Sequence, residues 1–297
     1  MIEVISIIIR TYNESRYLNE LLCAIENQIT DKYKVEVVLV DSGSSDNTLD
    51  IAKKHQVNIL HIDKEDFTFG RSLNLGCHFA SGKYLVFISG HCVPSNNAWL
   101  VNLVNPLKEK EYSYVYGRQI GRDTTKFSEY QLFKKYFPEN KDKAQGNYFC
   151  NNANAAINKS TWEQYYFDES LTGLEDLELA KRIFNSQEKI GYVENSCVYH
   201  IHNESWTQVK RRYEREALAL QKIMPEIHFN IFDMFKYIFV AIYNDTVIAL
   251  RQQCLIKEIS SIVKFRFFQY WGAYKGNRMH RKLSRQAKLK YFYPKNN

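Results

Sequence analysis

Cysteine pairs at metal-ligand spacing are missing from this 297-residue chain. Its six cysteines, Cys23, Cys77, Cys92, Cys150, Cys197 and Cys254, include no C-x-x-C. That argues against a zinc cluster and fits reduced, mostly buried thiols of a cytosolic protein. Also missing is an apolar run fit to cross a bilayer, which takes about 20 predominantly apolar residues. The best candidate, residues 229–250, is broken by Asp233, Lys236, Asn244 and Asp245. The apolar run at 5–9 is too short and wrongly flanked for a signal peptide. A soluble or peripheral protein is therefore expected. Internal repeats and low-complexity linkers are absent. Acidic residues stop altogether at Ile259, while Lys264, Arg266, Lys275, Arg278, Arg281 and further cations follow. The body is thus near neutral and the tail strongly basic within a net charge of +7, which asks for an anionic partner.

What is present is an ordinary globular chain, 45% hydrophobic and 25% charged, long enough for a sizeable core. "VISIIIRTYNE" (4–14) is a short continuous apolar run ending in polar residues, as in a strand buried on both faces. "SRYLNELLCAIENQ" (15–28) sets Leu18, Leu21, Leu22 and Ile25 at helical spacing. Strand and helix signals then alternate: "VEVVLVDSGSSD" (35–46), "NTLDIAKKH" (47–55), "VNILHI" (57–62), "GRSLNLGCHFA" (70–80) and "KYLVFIS" (83–89). Such alternation predicts a mostly parallel α/β sheet built from βαβ units. Further on, 97–108 reads as a helix and 112–120 as a strand, and 124–146 as a mobile or helical excursion. Strands are expected at 154–158 and 189–202, a helix at 174–186, and a long helix over 205–223 stopped by Pro225. The composition turns aromatic and basic after Pro225, placing a boundary between residues 1–225 and 226–297.

Polar residues collect at four predicted strand ends: 11–14, 41–46, 89–91, and Glu175 and Asp176 with His200 and His202 beyond. In open α/β sheets the ligand crevice lies outside the carboxyl ends of the strands. Each group also has a plain alternative. Asp41 with its Gly/Ser turn could be a helix cap, Arg71 a surface charge and His91 a loop residue. Glu175 and Asp176 could simply complement a helix dipole.

These stretches resemble the family 2 glycosyltransferases. "SIIIRTYNE" with "LLCAIENQ" looks like that family's opening strand and helix, and "VVLVDSGSSDNT" like its D-x-G-S-x-D-x-T signature. "FTFGRSLNLGCHFASGKYLVFIS" is similar to its R-N-x-G stretch, and "GLEDLELAKRI" to its E-D motif. The resemblance covers residues 2–222 and is nearest to the bacterial rhamnosyltransferase-like branch that builds surface polysaccharides. It implies a GT-A (Rossmann-like) α/β fold, a mostly parallel sheet flanked by helices, here with a C-terminal helical extension. It implies that Thr11, Asn13 and Glu14 line a nucleotide pocket, that Asp41 contacts the base, and that Arg71 and Ser89 lie by the donor. Asp176, with Glu175 second, would be the base that deprotonates an acceptor hydroxyl.

The departure from the family is in "VFISGHCVP" (86–94). Members carry an Asp-based motif there to hold a cation on the diphosphate, and this chain has Ser89, Gly90 and His91. His91 falls at the last Asp, and His200 and His202, two apart, would share a face of a strand. A site of His91, His200 and His202 for Mn²⁺ or Mg²⁺ is expected, imidazole favouring Mn²⁺; metal-free catalysis is the rival. "QVKRR" (208–212) has Arg212 where processive synthases have Trp, which predicts one sugar per encounter. The expected activity is an inverting, non-processive transfer from a UDP- or dTDP-linked donor to a glycan or lipid-linked acceptor. The alternative is a non-catalytic nucleotide-sugar or glycan-binding protein. The tail, 259–297, would lie on an anionic membrane at the inner face of the cytoplasmic membrane, or serve packing or homo-oligomer formation; nucleic acid is not expected.

Overall fold

The computed structural model describes residues 2–30, 32–140, 148–278 and 291–292. In chain order the elements are β1 (Glu3–Thr11), α1 (Leu18–Glu26), β2 (Tyr33–Asp41), α2 (Thr48–Ala52), β3 (Asn58–His61), α3 (Phe69–Phe79) and β4 (Tyr84–Ser89). Then come β5 (Cys92–Pro94), α4 (Trp99–Lys108), β6 (Tyr114–Ile120), α5 (Phe127–Tyr136), β7 (Asn154–Asn158), α6 (Lys159–Tyr165), α7 (Glu175–Asn185) and β8 (Ile190–His200). Three helices follow: α8 (Trp206–Ile223), α9 (Ile231–Arg251) and α10 (Leu255–Asn277). The chain forms two compact units, one of residues 1–122, 134–170 and 175–201, the other of 123–133, 171–174 and 202–297.

The first unit is built on one eight-stranded sheet in the order β3-β2-β1-β4-β7-β6-β8-β5. Its β3-β2-β1-β4 half is parallel, as the apolar runs predict. The other half is mixed: β7 runs antiparallel to β4 and β6, and β5 antiparallel to β8. Alternation along β1 sorts its side chains between faces. Ile5, Ile7 and Ile9 cluster with Leu18, Leu21 and Leu22 of α1 and with Trp99, Leu100 and Leu103 of α4. Ile8 points the other way, where α3 comes so close that a Cβ at Gly76 would meet its Cγ2 at 2.7 Å. Fully burying each such aliphatic chain is worth about 1.5–3 kcal/mol. All six cysteines are free, and burial pushes the thiols of Cys77, Cys92 and Cys150 well up, so they pack as inert apolar groups.

Residues 92–94, not expected as a strand, form β5 because β8 offers them an antiparallel partner with Cys92 opposite His200. Two local expectations change. Residues 127–136 of the 124–146 excursion are helical; 141–147 fall outside the described residues. His202 was expected in a strand beside His200, but β8 ends at His200. That strand runs only as far as β5 pairs with it, and His202 belongs to the second unit.

In the second unit α8 starts with a capping box between Ser205 and Gln208 and ends before Pro225, as its sequence predicts. Helix α9 opens on a second box, Asn230 with Asp233. Helices α8 and α10 approach closely at Gly272 and Gly276, where a Cβ would overlap the carbonyl oxygens of Lys210 and Glu214. A buried pair, Arg266 Nε to Asp245 Oδ2 at 2.7 Å, ties α10 to α9. Of the basic tail, 259–278 and 291–292 are described, and the rest lies outside the described residues.

Candidate active site

The carboxyl ends of β1 and β2 are neighbours because the strands pair in parallel, with Thr11 opposite Asp41. Thr11 Oγ1 donates to Asp41 Oδ1 (3.3 Å), and the backbone N–H groups of Gly43 and Ser44 donate to Oδ2 (2.9 and 3.0 Å). Asp41 is fully buried and is the anchor of the 41–44 turn. Asn13 sits at φ 56°, a left-handed conformation that Asn tolerates, and its Oδ1 accepts from Ser45 N–H at 2.8 Å. Glu14 N–H donates to Thr48 Oγ1 at 2.8 Å. The two loops after β1 and β2 are thus stitched into one rim.

Gly90, between Ser89 and His91, makes the next contact feasible. A Cβ there would meet Glu14 Cγ at 2.9 Å, so a glycine lets Glu14 lie against the 89–91 turn. Glu14 Oε1 is 2.8 Å from His91 Nδ1. Pairing of β5 with β8 then sets His200 beside His91, Nε2 to Nε2 at 3.2 Å.

The protons on these rings follow from their other partners. Ala153 N–H donates to Asn151 Oδ1 at 3.0 Å, which fixes that atom as oxygen. Gln119 Nε2 donates to the same oxygen at 3.0 Å, so Gln119 turns Oε1 to His200 Nδ1, 2.6 Å away. An amide oxygen only accepts, so His200 carries its proton on Nδ1. The Glu14 carboxylate places the His91 proton on Nδ1 by the same reasoning. With a proton on each Nδ1, the two rings turn their Nε2 atoms toward one another, an arrangement that suits a shared proton or a cation. Such outer partners are what hold histidines as metal ligands. The donor set fits a divalent cation, with His91 and His200 as the pair that would hold it.

Two carboxylates open α7. Glu175, buried, accepts from Arg10 Nη1 at 3.1 Å, and Arg10 lies over the Phe69 ring. Asp176 Oδ2 accepts from Asn152 N–H and Oδ1 from Leu177 N–H, both at 2.8 Å. Burial first, and then the Glu175 charge, push the Asp176 carboxyl up to about 7. The side-chain Nδ2 of Asn152 is buried and has no hydrogen-bond partner among the described residues. Asn151 and Asn152 thereby connect the two halves of the site: one holds Gln119 behind His200, the other holds Asp176.

Of the expected residues, the fold brings Thr11 to Asp41, Asn13 and Glu14 to the turn after β2, and Glu14 to His91 and His200. Ser89 lies opposite Arg10, the partner of Glu175. Arg71 is not joined to these; its Nε donates to Glu169 Oε2 (2.8 Å) and its Nη1 to the Asp66 carbonyl (3.1 Å). In the second unit His202 Nδ1 lies 2.7 Å from Glu129 Oε1, and Arg212 bonds both Glu129 and Glu204. Burial opposes ionisation of Glu129, but His202 and Arg212 outweigh it and hold its carboxyl low, at about 2. Sequence reading missed Arg10, Gln119, Asn151 and Asn152. A lone charge inside "IIIRT" was a signal for the first, and the Asn pair before "ANAAIN" for the last two; Gln119 gave none.

The family model described as Glycosyl transferase family 2 matches residues 6–165. The chain is 25% identical over 221 residues to the O-antigen chain rhamnosyltransferase RfbN of Salmonella typhimurium, covering 70% of each. Among solved structures it is similar to the mannosyltransferase PcManGT of Pyrobaculum calidifontis, in complex with GDP-Man and Mn²⁺. That match has a TM-score of 0.62, 17% identity, and coverage of 98% of this chain and 88% of the other. It also resembles glucosyl-3-phosphoglycerate synthase of Mycobacterium tuberculosis with Mn²⁺ and UDP-glucose, at TM-score 0.54, 18% identity, and 74% and 80% coverage.

Proposed function

Because the chain belongs to glycosyl transferase family 2 and has the GT-A fold, we propose that it is an inverting, non-processive glycosyltransferase of surface-polysaccharide synthesis. The donor is a nucleotide-sugar, UDP- or dTDP-linked, and the acceptor a glycan or lipid-linked saccharide at the inner face of the cytoplasmic membrane. Likeness to RfbN supports the O-antigen-type setting. No helix among the described residues is long and apolar enough to cross a membrane. The observation that carries the reading is the Asn151–Asn152 link between a buried carboxylate of raised proton affinity and a histidine pair primed for a cation.

In this reading Thr11, Asn13, Glu14 and the Asp41 turn shape the nucleotide pocket, with Ser89 and His91 toward the diphosphate and Arg71 at its margin. Asp176 takes the proton of the acceptor hydroxyl as that oxygen bonds the anomeric carbon. The bond from that carbon to the diphosphate oxygen breaks on the opposite side, which inverts the configuration. Glu175 keeps the proton affinity of Asp176 high and is itself held by Arg10. A divalent cation would be held by His91 and His200, and it would neutralise charge on the leaving diphosphate. Mn²⁺ suits the imidazole nitrogens better than Mg²⁺.

The test is transfer by Asp176→Asn with donor binding followed in parallel. Turnover is expected to fall on the order of 10²–10⁴-fold with donor affinity nearly unchanged. Normal turnover, with loss in Glu175→Gln instead, would exchange the two roles. Absence of donor hydrolysis and transfer in the native protein, with binding retained, would make it a nucleotide-sugar-binding protein.

A further inference from the structure

Helix α9 is apolar on two sides. Met234, Ile238, Asp245 and Ala249 are buried and form its inner face, where Asp245 meets Arg266 of α10 and Tyr237 stacks on Tyr270. A second stripe is formed by Phe232, Phe235, Phe239, Tyr243 and Leu250, at intervals of 3, 4, 4 and 7 residues, so it stays on one side of the helix. This stripe faces solvent: Phe232 is 81% exposed, Phe239 70% and Tyr243 69%. Helix α10 repeats the pattern with Ile256, Ile259, Val263 and Phe267, all exposed, and Ile256 almost completely so at 96%.

The charges beside the stripes are of one sign. Lys236, Arg251 and Lys264 are exposed on these helices. The acids are otherwise engaged: Asp245 is buried against Arg266, Asp233 is spent in the α9 cap, and Glu258 lies 3.8 Å from Lys257. An isologous contact between two copies would set this basic face against itself. An anionic lipid surface answers both features, taking the Phe and Leu side chains among its acyl chains and the Lys and Arg side chains at its headgroups. Asp233, Lys236 and Asp245 interrupt α9, no helix among the described residues is long and apolar enough to cross a membrane, and α9 fits lying in the plane.

We propose that the outer face of α9, extended by that of α10, docks this protein on an anionic membrane surface. The inference deepens the reading of a lipid-linked acceptor and gives its membrane contact to α9, ahead of the basic tail. It uses only residues far along the chain from those assigned to chemistry.

The test is co-sedimentation of the full chain with vesicles of phosphatidylglycerol and phosphatidylcholine in equal parts, and of phosphatidylcholine alone, without donor or acceptor. The native chain is expected to bind the anionic vesicles at least tenfold better than the neutral ones, and less well in high salt. The triple variant Phe232→Ser, Phe239→Ser, Tyr243→Ser should lose at least tenfold in binding. Its basic tail is intact, and its transfer to a water-soluble acceptor should be unchanged. In Phe239→Trp, brominated acyl chains should quench fluorescence beyond the quenching seen in the native chain. Equal vesicle binding by the native chain and the triple variant overturns the proposal. So does a native dimer that the triple variant converts to monomer, which would assign the face to a second copy. Loss of transfer in both forms with vesicle binding as expected would remove the catalytic reading and leave the docking face standing.

Discussion

At Asp176 a carboxylate is held between two backbone N–H donors, yet burial and Glu175 keep its proton affinity high. A base must be ionised to accept a proton, so transfer is expected to fall as pH drops through about 7, well above the range of an ordinary aspartate. Glu175→Gln removes the like charge and releases Arg10, and both changes lower the affinity of Asp176 for its proton. The acid limb of the pH–rate profile should therefore move to lower pH, and a stationary limb would show that another group sets it. The histidine pair gives a second residue-scale prediction. Gln119→Leu removes the acceptor that fixes the His200 tautomer and should weaken Mn²⁺ binding by about 10–100-fold, read by Mn²⁺ electron paramagnetic resonance without donor. His91→Asp exchanges a nitrogen for oxygen ligands and should shift the preference toward Mg²⁺.

Among the elements, β5 has the largest effect for its size. Three residues paired to the end of β8 decide that His91 faces His200. Helices α8 and α10 depend in turn on two glycines one turn apart, where backbones touch without intervening side chains. Gly272→Ala sets a methyl group against the Lys210 carbonyl, and the helices must separate to admit it. Overpacking of this kind costs about 1–3 kcal/mol, and a lowered thermal midpoint with preserved donor affinity is the expected result. An unchanged midpoint would mean that α8 and α10 do not meet there.

For the whole molecule, ligand linkage offers a direct reading of the donor. A nucleotide-sugar that binds the folded chain raises its melting temperature, by an amount set by concentration over Kd. UDP- and dTDP-sugars are expected to raise it more than GDP-sugars, and only with Mn²⁺ present. A shift equal with and without chelator would point to metal-free binding of the diphosphate. The six buried or half-buried thiols should leave this melt insensitive to reductant.

Strand and helix periods in residues 2–120 stood in the sequence, because a βαβ chain buries each strand on both faces and each helix on one. Local order there follows from local pattern, and the strand ends carrying Thr11, Asp41 and Ser89 follow with it. The D-x-G-S-x-D-x-T stretch and the E-D pair made the family legible as well. The site itself needed partners far apart in the chain. Nothing near His91 states that β5 will pair with β8, or that Gln119 and Asn151 will fix a proton on His200. The same holds for α9, whose two apolar stripes look alike in sequence. Only packing against α10 decided which stripe was buried and which was left facing solvent, because burial belongs to the pair of surfaces and not to either helix alone.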